Sequence, residues 1–303
     1  MKIKHAFRPG RASSDCRILL AAGILAAAGI LLYDAMTPSI FWLQEPQQIY
    51  TMESGILQRN GLFASGEDCR LTYDFTHPDY AVLIQTYGID KIAGTGTEFQ
   101  RALRLMDEYA PRLTHKSDYT NHVRFAALSL LAYSLDNPRQ GINCLNKAQI
   151  LNEMCLALGI YSRAVTLLPA SVYDTECHVV NEIWDSTLNK WIMLDITDNS
   201  YWIDENGTPL SVLEIRYKCS MQEFCTSVHP GDDLSRPELL WEKHMDNILY
   251  IMKNLAYMMY NDYNGVGAGL IRYALVPENM DVDHEFLIDE AACRRSPLEA
   301  DIR

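Results

Sequence analysis

Apolar positions along the chain change period several times, and each change marks a different kind of element. Residues 18–32 are fifteen positions without a charge. A bilayer span needs about 20 apolar residues, with about 17 as a floor. Tyr33 extends the run, and Ile40, Phe41, Trp42 and Leu43 supply aromatic anchors for a membrane interface. Lys2, Lys4, Arg8, Arg11 and Arg17 precede it, so it reads as a membrane segment whose basic side, residues 1–17, stays in the cytoplasm. The small residues at 26–29 would suit a cleaved signal peptide. Ile30, Leu31 and Leu32 carry the apolar run past them, which favours an uncleaved anchor over residues 18–33.

Residues 34–60 show little periodicity and read as a linker. A strand is expected at 70–75. Thr97, Glu98, Phe99 and Gln100 form a capping-box pattern that opens a helix to about residue 113. A second helix is expected over 119–135. Polar residues 137–141 then lead into a helix starting at Cys144, with Ala148, Leu151, Met154, Cys155 and Leu158 at helical spacing and Gly159 as its stop. A strand follows at 161–168, then an antiparallel hairpin of 177–184 and 190–195 about the polar turn 185–188. Asn206-Gly207 suggests another hairpin, joining 201–203 to 210–212. From 237 to 260 the spacing of Ile248, Ile251, Leu255, Met258 and Met259 is helical, and a tail begins at 294. These elements predict an α+β domain over 61–235 and a helical C-terminal extension over 236–303 packed on it.

Three of these elements each carry one reactive side chain. Cys144 stands where unpaired N–H groups and the helix dipole favour a thiolate. His178 lies in the first hairpin strand and Asp195 ends the second. A loop that closes Trp184 against Asn189 sets His178 directly opposite Asp195, on one face of the sheet. A one-residue slip would separate them. Thiol, imidazole and carboxylate in this order suit a nucleophile, its base and the base's orienter.

At these residues the chain resembles the transglutaminase-like superfamily, a branch of the papain-like cysteine hydrolases. The similarity rests on a Cys-opened helix ending in LALGI, the strand HVVNEIW, and KWIMLDIT with its Asp. It covers roughly 97–216, and 141–197 carry its specific part. The resemblance implies a papain-like fold in which the Cys-bearing helix packs on an antiparallel sheet. It also implies a Cys144–His178–Asp195 triad acting on a peptide or amide carbonyl through a thioester. Water as acceptor gives a peptidase or amidase, and an amine gives a protein cross-linker. Family members often have an aromatic residue or Gly before the Cys, whereas Asn143 stands here. The second oxyanion donor is therefore open, with Gln140 and Asn143 as candidates. A catalytically silent binding module of the same fold is the alternative.

Charge and cysteine content narrow the setting. Residues 1–32 carry five Lys or Arg and one Asp, a net of +4, so the chain's −13 leaves −17 for 33–303. So acidic a body offers no footprint for nucleic acid. Eight cysteines are present, and outside the cytoplasm disulfides persist; Cys219 and Cys225 are close enough in sequence to bridge. Cys219, Cys225 and His229 lack the paired ligands of a zinc knuckle, and no EF-hand loop is present. No metal or cofactor is therefore expected. The expected setting is the cell membrane, with the body outside, or a secreted form if the segment is cleaved.

Overall fold

The computed structural model describes residues 46–299, apart from Val172 and Ala268. The expected basic tail and membrane segment lie outside the described residues. No helix among the described residues is long and apolar enough to cross a membrane. In chain order the elements are α1 (Pro46–Arg59), β1 (Thr72–Tyr73), α2 (Pro78–Tyr87), α3 (Ile89–Ala93), α4 (Glu98–Tyr109), α5 (Ala127–Asp136), α6 (Cys144–Ala157), β2 (Ser162–Leu168), β3 (His178–Asp185) and β4 (Lys190–Asp195). There follow β5 (Ser200–Asp204), α7 (Val212–Met221), β6 (Cys225–Val228), α8 (Pro237–Lys243), α9 (Met245–Lys253), β7 (Tyr257–Asn261), β8 (Tyr263–Asn264), β9 (Arg272–Leu275) and α10 (Glu290–Arg294).

Seven strands form one sheet in the order β6-β5-β4-β3-β2-β7-β9, every neighbouring pair antiparallel. Side chains alternate between its faces, and each face has its own core. Val165, Leu167, Val180, Met193, Trp202, Met258 and Tyr260 pack with apolar residues of α1, α7 and α9. Ile183, Ile192 and Leu194 pack with those of α2 to α6. The result is a helix–sheet–helix sandwich, the α+β architecture expected from the sequence. A buried ion pair pins its central register. Arg163 on β2 lies opposite Glu182 on β3, 2.6 Å from Nη2 to Oε2. The same Nη2 donates to the Cys293 carbonyl at 2.7 Å, and the other Glu182 oxygen accepts the Val212 N–H at 2.9 Å. The pair sits in the β2–β3 register, and the same register carries His178 opposite Leu167 at the start of β3.

Several expected elements change on folding. Within the expected linker, Pro46–Arg59 is helical, with Tyr50, Ser54 and Leu57 buried. Thr97 and Gln100 do form a capping box, whereas the helix expected at 119–135 starts only at Ala127. Residue 212 opens α7 rather than a strand, because Ser211 and Glu214 make a second capping box. β5 pairs with β4 and β6 in the sheet, and the expected hairpin is reduced to a short closure in which Ile203 bridges Pro209, the Asp204 N–H donates to Thr208 and the Leu210 N–H donates to Trp202. The C-terminal extension is not purely helical. α9 ends at Lys253, and Tyr257–Asn261 is a strand of the main sheet paired with β2. Met258 and Tyr260 are buried there while Tyr257 and Met259 are partly exposed, a period of two that the helical spacing before it obscured. The sulfurs of Cys219 and Cys225 lie 3.6 Å apart as buried thiols.

Candidate active site

Helix α6 begins at Cys144 because Asn143 caps it, its Oδ1 accepting the Asn146 N–H at 3.2 Å. The cap is itself held. Asn121, in a left-handed conformation with φ 53° that Asn tolerates better than most residues, accepts from the side-chain amides of Asn146 at 2.6 Å and Asn143 at 3.3 Å. One residue further back, Ile142 exchanges backbone hydrogen bonds with Thr114 and Lys116, both at 3.0 Å. Gly141 permits that approach, since a Cβ there would stand 2.7–2.9 Å from Lys116, His115 and Thr114. The thiol thus sits on a helix start fixed from two sides.

His178 and Asp195 meet by a route slightly different from the expected one. The hairpin closes Asp185 against Lys190 across Ser186–Thr187–Leu188–Asn189, a register two residues from that predicted. Asp185 sets the turn by accepting the N–H groups of Thr187 and Leu188 at 3.0 and 2.9 Å, and Asn189 takes φ 52°. A two-residue shift keeps both side chains on one face. It makes them diagonal rather than direct neighbours, within reach of long or aromatic side chains. His178 Nε2 stands 2.6 Å from Asp195 Oδ2. Asp195 Oδ1 accepts the N–H groups of Thr197 at 2.9 Å and Asp198 at 3.3 Å, which aims the other oxygen at the ring. With Nε2 taken, Nδ1 is the nitrogen left for the hydrogen bond between His178 and Cys144.

All three side chains line one cleft of about 540 Å³. His178 and Asp195 are buried and Cys144 is half-buried. Burial disfavours the charged thiolate, yet the hydrogen bond and charge of His178 and the N–H of Val179 outweigh it and lower the Cys144 pKa. Burial also opposes the imidazolium, but Asp195, joined by Cys144, raises His178 to about 10. Asp195 is held low by the imidazolium and its two backbone donors against the cost of burial. These shifts favour a thiolate–imidazolium pair.

The shifts fix the sign of a pH experiment. Iodoacetamide alkylation of Cys144 is expected to persist below the ordinary thiol range and to fall as the pair takes up a proton. Turnover should share that acid limb and fall again near pH 10, as His178 loses the proton it passes to the leaving group. Cys69, Cys155, Cys177 and Cys293 have pKa values raised by burial and should label more slowly at neutral pH. Faster labelling of any of them than of Cys144 would count against the pair.

Of the two oxyanion candidates, Asn143 lines the cleft, although its amide is engaged in the cap. Gln140 is exposed in the turn before it, where its N–H donates to Asn137, and it does not line the cleft. Sequence reasoning missed several cleft residues. Tyr250 from α9 packs edge-on against the His178 ring, centroids 5.3 Å apart. Asn247 donates to Asp198 at 2.6 Å. Asp198, three residues after Asp195, has its pKa raised to about 6 by burial and then by Asp195. Lys147, three residues after Cys144, does not line the cleft but is buried near it; burial lowers its pKa while Asp195 and Cys144 favour its charge. The short spacings of Asp198 and Lys147 from triad residues were readable signals; Tyr250 and Asn247 had none.

A family model of the transglutaminase-like superfamily matches residues 86–196, a span that contains Cys144, His178 and Asp195. Among solved structures, a candidate cysteine protease from Cytophaga hutchinsonii is 17% identical, with 51% of this chain and 52% of that chain covered and a TM-score of 0.31. A candidate protease from Parabacteroides distasonis is 13% identical, with 52% of this chain and 30% of that chain covered and a TM-score of 0.25. The chain thus spans about half of the first and under a third of the second. No curated protein matches it.

Proposed function

We propose that this protein carries out thiol-dependent acyl transfer or hydrolysis on a peptide or amide substrate, through Cys144, His178 and Asp195. The observation that carries the reading is the 2.6 Å contact between His178 and Asp195, in the same cleft as a cysteine at a helix start. The Cys144 thiolate attacks the carbonyl carbon, forming a C–S bond and placing negative charge on the oxygen. By position, the backbone N–H of Cys144 is a donor to that oxygen. Collapse breaks the C–N bond as His178 gives its proton to the departing amine, leaving a thioester. His178, now neutral, takes a proton from water or from a primary amine as it attacks. That step releases a carboxylic acid or a new amide and restores the thiolate.

Asp195 holds the ring and stabilises its charged form. The uncharged run at 18–32 with basic residues before it supports a location outside the cytoplasm, anchored at the membrane.

Incubation with a peptide pool in ¹⁸O-water, with and without a fluorescent primary amine, tests the chemistry. An acyl adduct on Cys144, with ¹⁸O or the amine appearing in product, is the expected outcome, and a Cys144→Ala chain should give neither. Peptides that bind without adduct or product would favour the silent binding module.

A further inference from the structure

Among the described residues, the cleft's charges are paired with one exception. Glu176 bonds Lys253 at 2.7 Å, and Lys253 also holds Asp174 at 2.8 Å. Asp198 is held by Asn247 and lies 3.4 Å from His229. Asp195 has His178. Arg272 lines the same cleft and is exposed, with no carboxylate oxygen within 4.0 Å among the described residues. Asp283 and Glu285 border a neighbouring groove that Arg272 also lines, and neither forms an ion pair with it. In a body of net negative charge, a cation left open on a cleft is a recognition group rather than a solubilising one.

Strand register places Arg272 relative to the thiol. Thr166 pairs with Val179 on one side and Met259 on the other, and Met259 pairs with Ala274. Val179, Thr166, Met259 and Ala274 therefore form a row across one face, from β3 to β9. Arg272 lies two residues before Ala274 and shares that face. Helix α6 covers the Val179 end, where Cys144 packs beside Ala148, Ala164 and Val179. Thr166 and Arg272 continue the cleft away from it. Three interstrand steps are about 14 Å, or about four residues of extended peptide.

We infer that Arg272 forms a carboxylate subsite of the cleft, so that substrates are peptides carrying a carboxylate about four residues from the carbonyl that Cys144 attacks. This rests on the thiol chemistry proposed above. The carboxylate comes from an acidic side chain or from a peptide C-terminus, and both present the same two oxygens to the guanidinium fork.

Peptide alkylators test it without a known substrate. Bromoacetyl-(Gly)n probes, with n from zero to four, would end in Glu amide, in Gln with a free C-terminal carboxylate, or in neutral Gln amide. Alkylation joins the Cys144 sulfur to the acetyl carbon and releases bromide. At the longer spacers, one or both carboxylate probes should label Cys144 about tenfold faster than the neutral probe, as expected of one charge-assisted hydrogen bond. Which of the two is faster identifies the source. Within Arg272→Gln that ratio should fall toward one, and within Arg272→Glu below one. Equal labelling by charged and neutral probes in the natural chain, or a preference that survives Arg272→Gln, would overturn the subsite. Failure of every probe to label Cys144 would instead defeat the thiol reading beneath it.

Discussion

Cys144→Ser is expected to lower turnover by about 10⁴-fold or more with the fold intact; removal of a nucleophile acting as part of a triad costs up to about 10⁶-fold. Against the cost of burial, His178 and the Val179 N–H lower the thiol's pKa, which favours the thiolate. A serine hydroxyl starts several pKa units higher, and the same partners cannot ionise it. It would need a neutral imidazole as base, while Asp195 still favours the charged form of His178. Two elements that stabilise the thiol enzyme therefore work against the serine one. The variant also carries a physical readout. Cys144 contributes to the raised His178 pKa through its hydrogen bond and charge, so the imidazole should titrate at lower pH in Cys144→Ser. Imidazole NMR resonances across a pH series would show this. Turnover above about one per cent of the natural chain's would point to a different nucleophile.

The meeting of Cys144, His178 and Asp195 in one cleft was legible because each signal survives small errors. A Cys at a helix start depends only on local capping, and Asn143 supplies it. The hairpin was misplaced by two residues, yet an even shift preserves face, and the long side chains close a diagonal as readily as a direct pair. Packing on α6 was less legible. Its apolar stripe was read correctly, but Asn146, Lys147, Gln149, Asn152 and Glu153 are buried as well. A helix lying between other helices and a sheet has no solvent face for them, and Gln149 and Glu153 bond to polar partners instead. Gln149 donates to Glu153 at 2.7 Å and to the Gly265 carbonyl at 2.8 Å. Burial raises Glu153 to about 7. No local pattern reveals a contact 116 residues away in sequence, and Tyr250 and Arg272 reach the cleft over similar separations.

Asp195→Asn is the sharper test of the mechanism, because it changes charge with almost no change in shape. An amide oxygen can still accept the Thr197 and Asp198 N–H groups, so the turn should hold and the thermal midpoint should move little. The amide nitrogen then faces His178 Nε2, and two donors cannot share that contact. The ring must become neutral at Nε2, which leaves its proton on Nδ1, toward the sulfur, and removes its capacity to act as a base there. The serine-protease precedent for this change is about 10⁴-fold in turnover. A thiol enzyme should lose less, since the sulfur is intrinsically more nucleophilic. Two further changes have fixed signs. Without the imidazolium the Cys144 pKa should rise, so alkylation at neutral pH should slow. Asp198, pushed to about 6 by burial and by Asp195, should titrate at lower pH once that neighbouring charge is gone, the loss of the smaller opposing effect of the His178 charge offsetting part of the change. Turnover within about threefold of the natural chain's would reduce Asp195 to a turn-forming residue and leave a Cys–His dyad. A large loss of turnover with the Cys144 alkylation profile unmoved would mean that Asp195 acts on substrate rather than through His178.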